Sequence, residues 1–293
     1  MPFLFSSTLK NARTDWQDAM PTHPQALNAL FLGMSVFTTF RTDHVYCWRR
    51  THLKRLYEHG KCIGLDLPVF RNFAGEIETQ LASLLSDSPT PHRIRLTLFP
   101  EHYTPALRPP FQTACVVDVQ APLPEMPKTL QKEGLHLTVV DYDAPHPQLK
   151  QGSQLPALLL HHGKESDIDA VLWENAQGEL TESTHANLLF HHSSWGWCSP
   201  PRADALDGVT LQQIRKASEG LGLKLVEHRL RVEDLAEVDA LFLTNSIHGM
   251  QSVASVEARG LRWELLGHPS SQDLFTAWRS LAFDGLATCY RIL

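Results

Sequence analysis

Residues 180–190 read Leu-Thr-Glu-Ser-Thr-His-Ala-Asn-Leu-Leu-Phe and lie inside a longer β-rich run. That run, AVLWENAQGELTESTHANLLFHH at residues 170–192, predicts paired strands around an Asn-Ala-Gln-Gly turn. Taken alone, Glu182 is typical of a solvated carboxylate on a strand. Its meaning therefore depends on the segments that accompany it along the chain.

Lys150, in HPQLKQGSQL, is the first of these companions and precedes Glu182 by 32 positions. It is one of nine lysines in the chain. A lysine that forms an imine with a carbonyl group needs a lowered pKa, which the cationic imine chemistry together with burial supplies. By itself, however, Lys150 is equally typical of a loop lysine.

Two further segments carry groups that suit an anion. Arg55 lies in His52-Leu53-Lys54-Arg55-Leu56, and its planar guanidinium can donate two hydrogen bonds to a phosphate at once. Gly208-Val209-Thr210 precedes a predicted helix, whose first-turn N–H groups can face an anion. Each segment alone has a simpler explanation, an exposed helical arginine or an ordinary helix cap.

Together and in this order, these segments resemble the fold-type IV pyridoxal-phosphate enzymes, which include branched-chain and D-amino-acid aminotransferases and aminodeoxychorismate lyase. LTESTHANLLF is similar to the family's TE-small-small-x-x-N-aliphatic-x-F pattern, and the resemblance runs from about Gly33 to Val253. It implies pyridoxal 5'-phosphate as cofactor, carried by Lys150, with Glu182 paired to the pyridine nitrogen. A nearby carboxylate keeps that nitrogen protonated, as an electron sink requires.

The same resemblance implies the residues that bind the cofactor's phosphate. Gly208-Val209-Thr210 is similar to the family's G-V/I-T turn, and Thr244-Asn245-Ser246 is similar to its second phosphate turn. The implied phosphate-binding residues are Arg55, Val209, Thr210, Asn245 and Ser246.

Residues 36–41, VFTTFR, resemble the lyase version of the family's substrate strand, where aminotransferases more often show F-E-G or Y-E. The resemblance implies that Thr39 handles a substrate proton and that Lys150 acts as general base. The implied reaction converts 4-amino-4-deoxychorismate to 4-aminobenzoate and pyruvate for folate synthesis. A class IV aminotransferase of branched-chain or D-amino acids and a non-catalytic cofactor-binding relative remain as alternatives.

Two segments depart from the family's pattern. HPQALNALFLGMS, residues 23–35, replaces the D-R-x-x-x-Y/F-G-D-G approach, and Pro100 stands where the family often has the arginine of an S-R-G turn. Arg93 and Arg95 lie just upstream and could bind a carboxylate, although their alternation in HRIRLTL is more typical of a solvated strand face. These departures concern the substrate more than the cofactor.

Composition narrows the class of partner. The 293 residues carry a net charge of −6 and no Lys/Arg run longer than two, so no basic stripe for nucleic acid is present and a small-molecule amino substrate is favoured. The five scattered cysteines form no CxxC pair and no HExxH occurs, so we expect no metal site. No segment approaches the roughly 20 apolar residues of a membrane span, and we expect a cytoplasmic protein.

The order of elements predicts an α/β (α+β) chain with two domains, like D-amino-acid aminotransferase by resemblance. Three prolines in APLPEMPK predict an interdomain linker at 121–128. It would join a smaller N-terminal α/β domain, 1–120, to a larger C-terminal domain, 129–293, that carries the cofactor lysine. The family resemblance also implies a homodimer.

Propensity and spacing predict the individual elements. Residues 33–48 predict a β-hairpin with its turn near Thr42-Asp43, and residues 51–65 predict a helix capped by Thr51. Further helices are predicted at 73–85, 155–165 and after Gly208, and strands at 92–99, 113–120, 135–143 and from 240.

Overall fold

The computed structural model describes residues 3–7, 33–44, 46–85, 90–101, 108–131, 133–162 and 167–284. They divide into two compact units. The first holds the described residues of 1–125 together with Leu149–Ser153, and the second holds Met126–Gln148 and the described residues from 154 onward. The chain thus changes unit within 121–128. Lys150, however, groups with the first unit and not with the predicted C-terminal domain, because its segment pairs with a strand of the first unit.

The first unit contains a four-stranded sheet and two helices. Their bounds are β1 Phe3–Ser7, β2 Val36–Arg41, α1 Tyr46–Cys62, α2 Phe70–Leu85, β3 His92–Pro100 and β4 Thr113–Pro122. The strand order is β1-β4-β3-β2, with β1 parallel to β4 and the other neighbours antiparallel. Alternate residues of β3, such as Ile94 and Leu96, pack with Leu53 of α1 and Ile77 of α2 in one apolar core.

The predicted hairpin over 33–48 is wrong in its second half. Val36–Arg41 is a strand, but it pairs with β3, and α1 already begins at Tyr46. The Arg41 guanidinium donates two hydrogen bonds of 2.9 Å to the Asp43 carboxylate, which stabilises the turn between strand and helix. Thr51 consequently lies inside the helix and is not its cap.

The second unit contains a ten-stranded sheet. The bounds are β5 Leu135–Asp141, β6 Ala170–Glu174, β7 Glu179–Ser183, β8 Ala186–His192, β9 Gly196–Ser199, β10 Leu225–Glu227, β11 Leu230–Arg231, β12 Val238–Asn245, β13 Gly249–Ala258 and β14 Leu261–Glu264. The order is β10-β9-β8-β12-β13-β5-β6-β7-β11, with β14 on β13. Because β7 also pairs with β8, six of these strands form a closed ring, and residue 182 lies in the hairpin that closes it.

Helices of the second unit pack on this sheet. They are α3 Leu155–His162, α4 Val209–Gly220 and α5 Ser271–Arg279, with a 3-10 helix at Val232–Glu237 and a π-helical turn at Ser280–Asp284. Ile214 and Ala217 of α4 are buried with Leu274 and Phe275 of α5. Leu221, one turn after Ala217, is 42% exposed because α4 ends at Gly220.

The mixed α/β class predicted from the sequence is confirmed, and the strands predicted from residue 92 onward are present with ends moved by a few residues. Where the structure describes the chain, no helix combines the length and the apolar character that a membrane crossing requires.

A buried polar contact joins α4 to α5, and it provides a stability test. Trp278 Nε1 donates to Gln213 Oε1 at 2.9 Å, and both side chains are fully buried. Gln213→Met keeps the length of the side chain but leaves the indole N–H without an acceptor. We expect the free energy of unfolding to fall by about 1–3 kcal/mol, measured by urea titration.

The matched control is Gln80→Met on the solvent side of α2, which should change the free energy of unfolding by less than about 0.5 kcal/mol. Equal stability of Gln213→Met and the wild-type protein would contradict a structural role for this contact.

Candidate active site

The segment Leu149–Ser153 lies along the edge of the first unit's sheet. Phe37 N–H donates to the Lys150 carbonyl at 3.0 Å, and Gly152 N–H donates to the Ser35 carbonyl at 2.7 Å. A Cβ at residue 152 would overlap the Ser35 hydroxyl, so glycine lets the two segments pair without displacing that hydroxyl. Lys150 is therefore held at a defined position beside β2.

The Lys150 side chain extends over an aromatic ring. Its Nζ lies 4.7 Å from the centroid of Phe37, while its backbone N–H donates to His59 Nδ1 at 3.2 Å. Burial, with the charges of Arg55 and Lys150, lowers the pKa of His59 to about 4. The imidazole is therefore neutral at physiological pH and can accept this hydrogen bond.

Thr38 and Thr39 point to opposite faces of the sheet, as neighbours on a strand must. Thr38 is fully buried on the helix side. Thr39 shares its face with Phe37 and lies directly opposite Arg95 in the β2–β3 register. The Thr39 hydroxyl is buried and has no hydrogen-bond partner among the described residues.

Arg55 reaches the sheet through Thr38. Its Nη2 donates to Thr38 Oγ1 at 3.2 Å, and the same hydroxyl lies 2.9 Å from His52 Nδ1. Burial, followed by the charge of Arg55, holds the pKa of His52 well below its usual range. His52 and Arg55, the two residues of the HxxRL motif, thus both form hydrogen bonds with the Thr38 hydroxyl.

Arg95 is half-buried rather than fully solvated, in contrast to the simplest prediction for an alternating strand. Its guanidinium carbon lies 3.8 Å from the centroid of Phe37, and Nε donates to Thr97 Oγ1 at 3.4 Å. Burial, reinforced by the charge of Arg93, lowers its pKa, although an arginine remains charged at any physiological pH. A fixed cation thus stands on the same face as Thr39.

In the second unit, Glu182 is held by a small polar network. Its Oε2 accepts from Asn187 Nδ2 at 3.4 Å and from Leu206 N–H at 3.3 Å, while Asn187 Nδ2 also donates to the Leu206 carbonyl at 2.7 Å. A side chain at Gly208 would overlap Asn187 Oδ1, so this turn needs glycine. Hydrogen bonds of this kind favour the ionised carboxylate.

The chain that follows Gly208 starts α4 at Val209. Gly208 provides no side-chain cap, and both Val209 and Thr210 are buried. Thr210 Oγ1 lies 3.2 Å from Ser246 Oγ, so the two turns expected to bind phosphate are in contact. The structure thus brings Thr210 and Ser246 together as predicted from the sequence.

The Asn245 side chain forms hydrogen bonds with the backbone of its own turn. Its Oδ1 accepts from Ile247 N–H at 3.0 Å and from His248 N–H at 2.8 Å, so this side chain oxygen stabilises the turn after β12. Beside it, the Thr244 hydroxyl is buried and has no partner in the part of the chain that the structure describes. A buried hydroxyl without a partner is a candidate donor to a ligand.

Each unit, taken by itself, offers groups that suit one part of a phosphorylated pyridine cofactor. In the second unit, an uncapped helix N-terminus and the hydroxyls of Thr210, Thr244 and Ser246 suit a phosphate, and Glu182 suits a protonated ring nitrogen. In the first unit, Lys150 offers an amine above an aromatic ring. The sequence alone did not predict the polar contacts of His52, His59 and Leu206, and of these three only His52 lies within a motif, HxxRL.

Asn187 provides a test of the network around Glu182. Asn187→Asp replaces the donor with a carboxylate next to Glu182 and to the Leu206 carbonyl. At pH 8 we expect the free energy of unfolding to fall by about 2–3 kcal/mol. Burial beside Glu182 should raise the pKa of the introduced carboxyl, so the stability lost at high pH should return as the pH falls toward 5 and the group regains a proton to donate.

Urea titrations at both pH values measure this difference, with Asn72→Asp as control because Asn72 is exposed on α2. If the loss of unfolding free energy is the same at pH 8 and pH 5, repulsion between the introduced carboxylate and Glu182 does not cause the destabilisation.

A scan of family models matches residues 35–256 to "Amino-transferase class IV". A curated relative from Methanocaldococcus jannaschii, named "Putative branched-chain-amino-acid aminotransferase", is 22% identical over 271 residues, which cover 88% of this chain and 92% of the relative.

Solved structures of similar fold accompany this match. A "Putative 4-amino-4-deoxychorismate lyase" from Legionella pneumophila has a TM-score of 0.74 at 20% identity, covering 96% of this chain and 99% of that one. The branched-chain aminotransferase of Escherichia coli has a TM-score of 0.73 at 22% identity, with 91% and 90% covered. A hypothetical aminotransferase from Mycobacterium tuberculosis in its PLP-bound form has a TM-score of 0.74 at 18% identity, with 92% and 95% covered. At these identities the likeness establishes the fold.

Proposed function

This chain belongs to the amino-transferase class IV family, and from that premise we propose that it is a pyridoxal-phosphate-dependent 4-amino-4-deoxychorismate lyase. The reaction releases 4-aminobenzoate and pyruvate from a single substrate and would serve folate synthesis. One observation carries the proposal. The buried Thr39 hydroxyl, without a partner in the described chain, lies on the sheet face over which Lys150 extends.

Each cofactor-binding residue receives a separate role in this proposal. Lys150 attaches the cofactor, and Glu182 keeps the ring nitrogen protonated with a carboxylate that Asn187 and Leu206 orient. Arg55, the Val209 and Thr210 N–H groups and the Ser246 hydroxyl bind the phosphate, while Asn245 shapes the turn that presents Ser246. When bound, pyridoxal phosphate supplies an electron sink for the charge that develops beside the substrate's amino nitrogen.

The remaining chemistry belongs to side chains of the first unit. With the cofactor bound, the Lys150 amine would act as the general base that takes the proton from the carbon bearing the substrate's amino group. Thr39 Oγ1 donates the proton that is needed when the pyruvate portion leaves. It is suited to this role because it is a buried hydroxyl with no hydrogen-bond partner among the described residues. The Arg95 guanidinium, which lies over Phe37, binds one of the two carboxylates that the substrate carries.

The second candidate is a class IV aminotransferase of branched-chain or D-amino acids. The names of the curated relatives favour it, since they are called branched-chain-amino-acid aminotransferases. An aminotransferase needs a 2-oxo acid to accept the amino group, whereas a lyase needs no second substrate. A small-molecule amino substrate and a homodimer are part of the proposal in either case.

The first test concerns the cofactor lysine. Purified wild-type protein incubated with pyridoxal phosphate should absorb visible light, and borohydride reduction should fix the label on Lys150. Lys150→Ala should be colourless with an unchanged unfolding midpoint, because it removes the attachment point and no core side chain. Lys54→Ala, at a lysine that is 66% exposed, is the control and should remain coloured. A peptide map with the label on another lysine would refute the assignment.

The second test separates lyase from aminotransferase. The wild-type protein should release pyruvate from 4-amino-4-deoxychorismate with no 2-oxo acid present. Thr39→Val should slow this release by on the order of a hundredfold, since a positioned proton donor is worth roughly 10²–10⁴ in rate. Thr39→Ser keeps the hydroxyl and should retain most of the rate. Thr79→Val, at an exposed position of α2, is the control and should not slow pyruvate release. Turnover that depends on a 2-oxo acid would decide for the aminotransferase.

A further inference from the structure

Both polar groups of the Lys150 backbone, its carbonyl and its N–H, form hydrogen bonds within the first unit. Its carbonyl accepts from Phe37 N–H at 3.0 Å, and its N–H donates to His59 Nδ1 at 3.2 Å. The neighbouring Leu149 packs against the apolar core of the first unit. The sheet edge supplies the first of these contacts, and α1 supplies the second through a side chain.

The hydrogen bond to His59 defines the state of the imidazole. A ring nitrogen that accepts from a backbone N–H carries no proton, so the ring's proton is on Nε2. Protonating Nδ1 would remove the acceptor and place a third positive charge beside those of Lys150 and Arg55. Burial and those two charges disfavour that form, which agrees with the lowered pKa of His59.

We propose that His59 is a positioning residue for the cofactor lysine: its Nδ1 anchors the backbone N–H of Lys150 so that the side chain leaves the sheet edge over Phe37. This inference rests on the proposed function, because it assumes that Lys150 attaches pyridoxal phosphate. No motif in the sequence pointed to His59. Misplacement of a reacting group by about 1 Å can cost on the order of a hundredfold in rate, so the anchor should be visible in the speed of attachment.

An isosteric pair of variants isolates the acceptor. His59→Leu and His59→Asn have the same branched shape at Cγ, but only asparagine presents an acceptor where Nδ1 stood. The experiment adds pyridoxal phosphate to cofactor-free full-length protein and follows visible absorption, with borohydride reduction to confirm that the label is on Lys150. His59→Leu should attach the cofactor at least about tenfold more slowly than the wild-type protein, and His59→Asn should restore most of the rate.

A second measurement distinguishes positioning of Lys150 from damage to the rest of the site. 4-Deoxypyridoxine 5'-phosphate lacks the carbonyl group and cannot bond covalently to lysine, so its affinity reports the phosphate and ring contacts alone. That affinity should agree within about twofold among the wild-type protein and both variants. Unfolding midpoints of the three proteins should also agree within a few degrees.

Three results would overturn the inference: attachment by His59→Leu at the wild-type rate, equal slowing in both variants, or a parallel loss of affinity for the deoxy compound. Failure of the wild-type protein to attach pyridoxal phosphate at Lys150 would instead reject the proposed function, and this inference with it. The two failures are therefore distinguishable from the wild-type measurement alone.

Discussion

Two backbone hydrogen bonds, from Phe37 to Lys150 and from Gly152 to Ser35, determine what surrounds the amine of Lys150. They hold a short segment on the edge of a sheet, beside the strand β2, which lies more than a hundred residues earlier in the chain. The segment can approach because Gly152 has no side chain. As a result, Lys150 shares one face of the sheet with Phe37, Thr39 and Arg95.

A second constraint acts in the other unit, where one amide serves three groups. Asn187 Nδ2 donates to Glu182 and to the Leu206 carbonyl, and its Oδ1 packs against the turn at Gly208. The carboxylate and the start of α4 are consequently positioned by the same side chain. A buried hydrogen-bond network is stable only when every member has a partner. A side chain at residue 208 would overlap Asn187 Oδ1 and disturb this network, which explains why Gly208 is needed there.

The chain shares the fold of solved class IV structures with which its sequence identity is only 20% and 22%. Most side chains can therefore differ while the path of the backbone stays the same. The proposed function assigns substrate recognition to the β2–β3 face of the first unit. A buried hydroxyl at Thr39 and a half-buried cation at Arg95 lie on that face.

The sequence by itself determined the family and the mixed α/β class. It also predicted Lys150, Glu182, Arg55 and the two turns at 208–210 and 244–246 as site residues, because they occur in short contiguous motifs. Spacing alone could not reveal that β2 pairs with β3 rather than forming a hairpin with residues 44–48, nor that Lys150 groups with the first unit. The contacts of His59 and Leu206 were equally out of reach. Each depends on hydrogen bonds between residues far apart in the chain, and only the folded backbone decides which distant groups meet.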